Sequence, residues 1–351
     1  MAPMLRLLAE QAGFESILIA TGQHLELFDD ALRPFGLAPD HRLDLACDSG
    51  IPAVMADAIG ISLLPLLKLL APDLVLVQGD TSSAFAAACT ADYLGIAIGH
   101  VEAGLRSHDP ERPFPEETNR IAIDRLSQLL FAPTQGAMDN LAGDRQITGS
   151  RHLTGNSGID ALNLVLADLP PPPPPDPRSR ILVTLHRRET TGAPLRAICG
   201  ALRALAARGD IVISLPLHPN PLVRAILLDE LADVATIALL APLCYRDMIA
   251  QMKASRLILS DSGGVQEEAP ALGVPLLILR DTTERPEAVA CGGARLSGTD
   301  PGRITADATA LLDDAAAHAA MARPRFPFGR GDASRKMFTV IENYFAGRIV
   351  T

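Results

Sequence analysis

Short apolar runs recur along the chain, separated by longer stretches in which Ala, Leu and Ile return every three or four positions. The runs Ser16–Ala20, Leu74–Gln78, Ala97–His100, Leu129–Ala132, Ile181–Leu185, Ile211–Leu215, Leu257–Ser260 and Leu276–Leu279 read as strands. They are continuously Val/Ile/Leu-rich and do not alternate with polar residues. That is the pattern of strands buried on both faces, and the intervening periodicity supplies the helices that cover them. The expected class is α/β, with parallel sheets. One segment breaks the rhythm. "LPPPPPPDPRSR" carries six consecutive prolines, Pro170–Pro175, which suit neither a helix interior nor a central strand and favour a stiff extended spacer over a polyproline ligand. Two α/β domains are therefore expected, 1–168 and 181–332, joined by a linker over 169–180. The cleft between them is the default ligand site.

Bulk properties narrow the function classes. The 351 residues exceed one typical core, and 48% apolar with 21% charged residues is ordinary for a globular protein. A formal net charge of −10 without a basic block argues against a nucleic-acid partner. Cys47, Cys89, Cys199, Cys244 and Cys291 form no CxxC pair and no zinc-spaced cluster. They read as reduced residues of a cytoplasmic protein. The N-terminal segment has no leader-like apolar core. "ISLLPLLKLLAPDLVLVQGD" is interrupted by two prolines, a lysine and two aspartates, so no membrane span is expected.

Polar residues collect directly after predicted strands, where open parallel sheets place their ligand crevice. In "LVLVQGDTSS", Gly79 permits a tight turn and Asp80 ends the strand; Asp80 is equally suited to capping the next helix. In "GHVEAGLRSHDPERPFPEETNR", a buried strand delivers His100, Glu102 and Arg106, then Pro115 leads into a helix with Glu116, Glu117 and Arg120. The helix macrodipole accounts for a glutamate in that first turn, but not for Glu102. "TLHRRET" sets His186, Arg187, Arg188 and Glu189 at a strand end, suited to an anion or to a surface salt-bridge cluster. "LSDSGGVQEEAPALGVP" runs a strand into Ser262, Gly263 and Gly264 ahead of a helix, letting phosphate oxygens reach free N–H groups. Glu267 and Glu268 follow within reach of an attached ribose.

These strings, with "HPNP" and "RDTTERPEAV", occur in the order typical of the non-hydrolysing UDP-N-acetylglucosamine 2-epimerases, and the chain resembles that family from Met1 to "FPFGRGDASRKM". The resemblance implies a GT-B-like architecture of two Rossmann-like domains, with a C-terminal helix over 333–351 packing back on the first domain. It implies reversible C2 epimerisation of UDP-N-acetylglucosamine to UDP-N-acetylmannosamine, by elimination of UDP to a 2-acetamidoglucal and re-addition. No metal or redox cofactor is implied. Asp80, Glu102 and Glu116 become the acid/base carboxylates, with His186 at the departing phosphates. Ser262, Gly263 and Gly264 would hold the diphosphate, Glu268 the ribose, and Arg285 another part of the nucleotide. Met248 stands where an aromatic residue often lies near the uracil. Gln23, His24, Glu26, Arg187 and His218 mark a possible allosteric site for a second substrate molecule, although Leu25 replaces a common arginine. A homodimer is expected.

Family members open with a strand and a turn like "VFGTRPEAIK" before a "MAPL" helix, whereas this sequence begins at "MAPMLRLL". The expectation is a first domain without its first strand, through a start placed at an internal methionine or through truncation. Three readings share these residues: the epimerase, a hydrolysing 2-epimerase or one acting on a modified UDP-sugar, and an inactive sugar-nucleotide-binding remnant.

Overall fold

Strand pairing is parallel throughout the computed structural model. It describes residues 1–22, 25–45, 51–111, 113–171, 176–185, 192–218 and 220–349, with only the backbone for 25–27 and 348–349. The chain forms two units, Met1–Ala161 with Phe328–Thr351, and Leu162–Pro327. The division falls within the helix Ser157–Ala167, ahead of the expected linker. Residues 172–175 of that linker lie outside the described residues.

In the first unit β1 (Ile19–Ala20) and β2 (His41–Arg42) pair with each other. A separate four-stranded sheet has the order β3 (Leu74–Gln78), β4 (Ala97–Val101), β5 (Leu129–Ala132) and β6 (Ser150–Leu153). Every residue of β4 and β5 is buried, as a central strand of a covered parallel sheet requires. The C-terminal helix Ala333–Ile349 belongs to this unit. Its Met337 and Ile341 pack with Met4, Leu8 and Phe131, and the Asp160 carboxylate accepts from the Ala333 and Ser334 N–H groups at 3.2 and 2.8 Å. That interaction satisfies donors the helix start cannot pair internally.

The helix Pro52–Leu70 corrects one expectation. Nineteen residues run through Pro65 without a break, long and apolar enough to cross a membrane. Its Met55, Ile59, Leu63 and Leu67 face is buried in the first unit's core with Leu43 and Ala86. Two prolines, a lysine and two aspartates were expected to break the apolar run that starts at Ile61, but the helix begins at Pro52 and ends at Leu70, ahead of the second proline and both aspartates.

In the second unit a six-stranded sheet has the order β12-β11-β10-β7-β8-β9. The strands are β7 (Ser179–Thr184), β8 (Ile211–Pro216), β9 (Ile237–Leu240), β10 (Leu257–Ser260), β11 (Leu276–Ile278) and β12 (Ala294–Leu296). This is the doubly wound order, and its switch point lies between β7 and β10. There Thr184 pairs with Ser260, and their hydroxyls bond at 2.6 Å. The four described cysteines are free, with Cys199 buried and the others half-buried.

Two glycines test this packing in opposite directions. Gly104 has φ +85°, and a Cβ there would lie 2.3 Å from the Ala137 carbonyl oxygen. Gly200, in the helix Ala193–Ala206, has open space around its missing side chain. Gly104→Ala is expected to destabilise by roughly 1–3 kcal/mol, and Gly200→Ala to stabilise by about 0.5–1 kcal/mol. Urea denaturation of both variants checks the signs.

Candidate active site

The expected acid/base residues of the first unit emerge from adjacent strand ends. Gly79, φ +71°, turns the chain out of β3 directly into Asp80. Glu102 follows β4 and is itself left-handed, φ 71°, an uncommon conformation for a side-chain-bearing residue. The N–H groups of Glu102 and Ala103 both donate to the Phe131 carbonyl at 3.1 Å. Glu102 Oε2 lies so close to Gly79 that a Cβ there would sit 3.7 Å from it. The structure thus brings Glu102 beside the turn that carries Asp80. Glu116 opens the helix Glu116–Leu126 and is half-buried, one residue ahead of the buried Glu117.

Glu117 and Arg120 shape the neighbourhood. Glu117 accepts from the Ser107 N–H at 3.0 Å and the His108 N–H at 3.2 Å, closing the loop after β4. Arg120 donates to Glu117 at 2.9 Å and, through Nε, to Asp80 at 3.0 Å. Asn119 donates to the Asp80 carbonyl at 2.8 Å. The helix therefore holds both the backbone and the carboxylate of Asp80.

Beneath this lies a pair that the strand-end pattern does not reveal. His100 and Asp124 are fully buried. His100 Nδ1 meets Asp124 Oδ1 at 2.7 Å, and its Nε2 meets the Gly79 carbonyl at 2.9 Å. The other Asp124 oxygen accepts from Arg106 at 2.7 Å and from the Gly104 N–H at 3.3 Å. His100 stands two residues before Glu102, but only the fold brings it to Asp124.

The second unit's residues gather at the switch point. Ser262 precedes the helix Gly263–Leu272 without capping it through its side chain. Its own N–H donates to the Ser260 hydroxyl at 3.0 Å. Gly263 and Gly264 are the first helical residues. Arg285 lies in a buried ion network, donating to Glu267 at 2.6 Å and Glu284 at 2.7 Å, with Arg280 bonded to Glu284 at 2.8 Å. Its guanidinium lies against Gly263, where a Cβ would approach within 2.7 Å. Glu268 accepts from the Tyr245 hydroxyl at 2.7 Å. Although part of its surface remains exposed, burial pushes its carboxyl up from 4.5 to about 7, against the opposing pull of that hydroxyl. Met248 is half-buried one turn after Tyr245.

Among the expected allosteric residues, His218 is described, and its Nδ1 accepts from the Asn220 N–H at 2.9 Å. Gln23, His24, Arg187 and the catalytic candidate His186 lie outside the described residues, as does the side chain of Glu26. Among the described residues no His/Cys/Asp/Glu cluster could hold a metal ion.

A doubly wound sheet with a helix N-terminus at its switch point, together with another parallel α/β unit with a carboxylate cluster at its strand ends, places the chain in the GT-B-like α/β class. A sequence profile of the UDP-N-acetylglucosamine 2-epimerase family matches residues 6–342, and the chain belongs to that family. It is 40% identical to the UDP-N-acetylglucosamine 2-epimerase of Escherichia coli K12, over 98% of this chain and 95% of the other. It is also 40% identical to that of Bacillus subtilis 168, over 96% and 90%. The Neisseria meningitidis UDP-GlcNAc 2-epimerase bound to UDP-GlcNAc superposes with a TM-score of 0.92 at 36% identity, covering 98% of this chain and 96% of that one. Staphylococcus aureus MnaA, in a co-structure with UDP, gives 0.93 at 36% identity, covering 99% and 93%.

Removing the carboxylate of Asp124 would leave Arg106 buried and unpaired. Asp124→Ala is expected to cost about 3–5 kcal/mol, whereas Arg196→Ala, which breaks exposed pairs with Asp229 and Glu230, should cost at most about 1 kcal/mol. Urea midpoints of the two variants measure the difference.

Proposed function

We propose that this chain interconverts UDP-N-acetylglucosamine and UDP-N-acetylmannosamine. The observation that carries the reading is the placement of Glu102 beside the Gly79–Asp80 turn, in a chain of this family. A carboxylate base removes the C2 proton while the C1–O bond breaks, and UDP leaves with the bonding electrons. A C1=C2 double bond forms, giving the 2-acetamidoglucal. A phosphate oxygen of UDP then adds back to C1 as a proton reaches the opposite face of C2. Atoms and electrons balance without an oxidant.

The first unit supplies the proton-transfer groups, with Asp80, Glu102 and Glu116 as candidates. Arg120 fixes the Asp80 carboxylate, so that this group meets the substrate in one orientation. The second unit holds the nucleotide. N–H groups at the start of the helix Gly263–Leu272 face negative charge favourably, both on bound diphosphate and on the departing one. Glu268 takes ribose hydroxyls. The proposed site of action is the cytoplasm.

The chain is also proposed to act as a homodimer. The helix Pro52–Leu70 and its N-cap carry a second apolar stripe, opposite in function to the buried one. Ile51, Val54, Ile61 and Leu69 are 60%, 40%, 74% and 80% exposed. Ile51, Val54, Ala58, Ile61 and Pro65 follow the 3-4-3-4 spacing of a helix-pairing seam. Asp57 and Lys68 flank it on one side with opposite charges.

Incubation with UDP-N-acetylglucosamine in D2O is expected to give UDP-N-acetylmannosamine with deuterium at C2, read by NMR. Glu102→Gln and Asp80→Asn should each lower turnover by about 100-fold or more, with UDP binding retained. Free N-acetylmannosamine plus UDP as product would favour the hydrolysing reaction instead. For the dimer, light scattering should show twice the chain mass for the unaltered protein and one chain for Ile61→Asp. A dimeric Ile61→Asp variant would place the interface elsewhere.

A further inference from the structure

Tyr245 begins the helix Tyr245–Ala254, and its hydroxyl reaches across to the helix Gly263–Leu272, donating to Glu268 Oε1 at 2.7 Å. It is the hydrogen-bond partner of that carboxylate among the described residues. Glu268 stands five residues after Gly263, which at the helical rise places it about 7.5 Å along the axis. A ribose attached to a diphosphate at the helix start spans a comparable length. Tyr245 is half-buried, and burial together with the Glu268 charge pushes its proton affinity up. Tyr245 therefore stays protonated and remains a donor at any working pH.

We propose that Tyr245 is a positioning residue for ribose recognition, holding Glu268 Oε1 so that Oε2 is presented as an acceptor to the ribose hydroxyls. This rests on the nucleotide-holding role proposed above for the second unit. The chemistry is specific. The hydrogen bond from Tyr245 favours the acceptor form of the carboxylate and opposes the burial that favours its protonated form. Without the phenol, the carboxyl is free to turn and to carry a proton. A protonated carboxyl offers the ribose a mixed donor and acceptor instead of two acceptors. Neither neighbour performs this function: Glu267 is bonded to Arg285, and Met248 has no hydrogen-bond donor suited to a carboxylate.

The test is calorimetric binding of UDP and 2′-deoxy-UDP to the full chain and to Tyr245→Phe and Glu268→Gln, with steady-state kinetics alongside. Tyr245→Phe keeps the ring and its packing. The unaltered protein should prefer UDP over 2′-deoxy-UDP, and Glu268→Gln should lose most of that preference. Tyr245→Phe should weaken UDP by about tenfold and weaken 2′-deoxy-UDP, which keeps only the 3′-hydroxyl, clearly less. It should raise KM with kcat within about twofold, because uniform binding is lost and not transition-state binding. Equal weakening of both nucleotides by Tyr245→Phe, or no weakening of either, would overturn the positioning role while leaving Glu268 as the ribose acceptor. A Glu268→Gln variant that keeps the full preference would overturn that acceptor role and this inference together. Failure of the unaltered protein to bind UDP would overturn the nucleotide reading itself.

Discussion

Asp124 receives His100, Arg106 and the Gly104 N–H on its two oxygens, although it is entirely out of reach of water. The donors come from β4 and the loop that follows it, and the acceptor comes from the helix Glu116–Leu126. His100 then passes the constraint on to the carbonyl of Gly79. One buried carboxylate consequently fixes the exits of two strands, and those exits carry Asp80 and Glu102. Such a pair is poor evidence of net stability, because desolvating the charges offsets much of their attraction. Its effect is geometric. Side chains held by locked neighbours stay within the narrow tolerance that proton transfer needs.

The second unit positions its groups by a different route. The helix start at Ser262 to Gly264, the proposed diphosphate site, is placed by topology, because the strand order reverses between β7 and β10, the position at which open parallel sheets form a crevice at the strands' carboxyl ends. The Thr184–Ser260 hydroxyl bond ties the two strands at that point. Arg285 then occupies the space against Gly263 that any side chain would claim. A glycine is needed there for the packing of the guanidinium. Here topology and backbone set the geometry, whereas in the first unit side chains do.

What the amino-acid pattern reveals follows from how each strand is surrounded. β1, β3, β4, β5, β7, β8, β10 and β11 are apolar along most of their length and were legible. β2, β6, β9 and β12 were not, and each stands at an edge or in the isolated β1–β2 pair. An edge strand has one neighbour and can carry polar residues, as β6 does in Ser150–Leu153. The same logic applies to the site. Asp80, Glu102 and Ser262 follow strands and so stand out locally. The His100–Asp124 contact joins residues 24 apart, and the Tyr245–Glu268 contact joins residues 23 apart. Their pairing depends on how helices pack on the sheet, and no periodicity encodes it.

Glu102 shows why the local rule fails where function intervenes. A left-handed residue is usually glycine, because any Cβ crowds the backbone, and this chain has glycine in that conformation at both Gly79 and Gly104 nearby. A glutamate at φ 71° costs on the order of 1 kcal/mol or more. It persists because its surroundings determine it. Its N–H and that of Ala103 are tied to the Phe131 carbonyl, and Gly104, two residues on, is pinned by Asp124. A glycine would relieve the strain but leave no carboxylate beside the Gly79 turn. Retaining the side chain against that cost fits the acid/base role proposed for Glu102, and it places the strain at the residue on which the proposed chemistry turns.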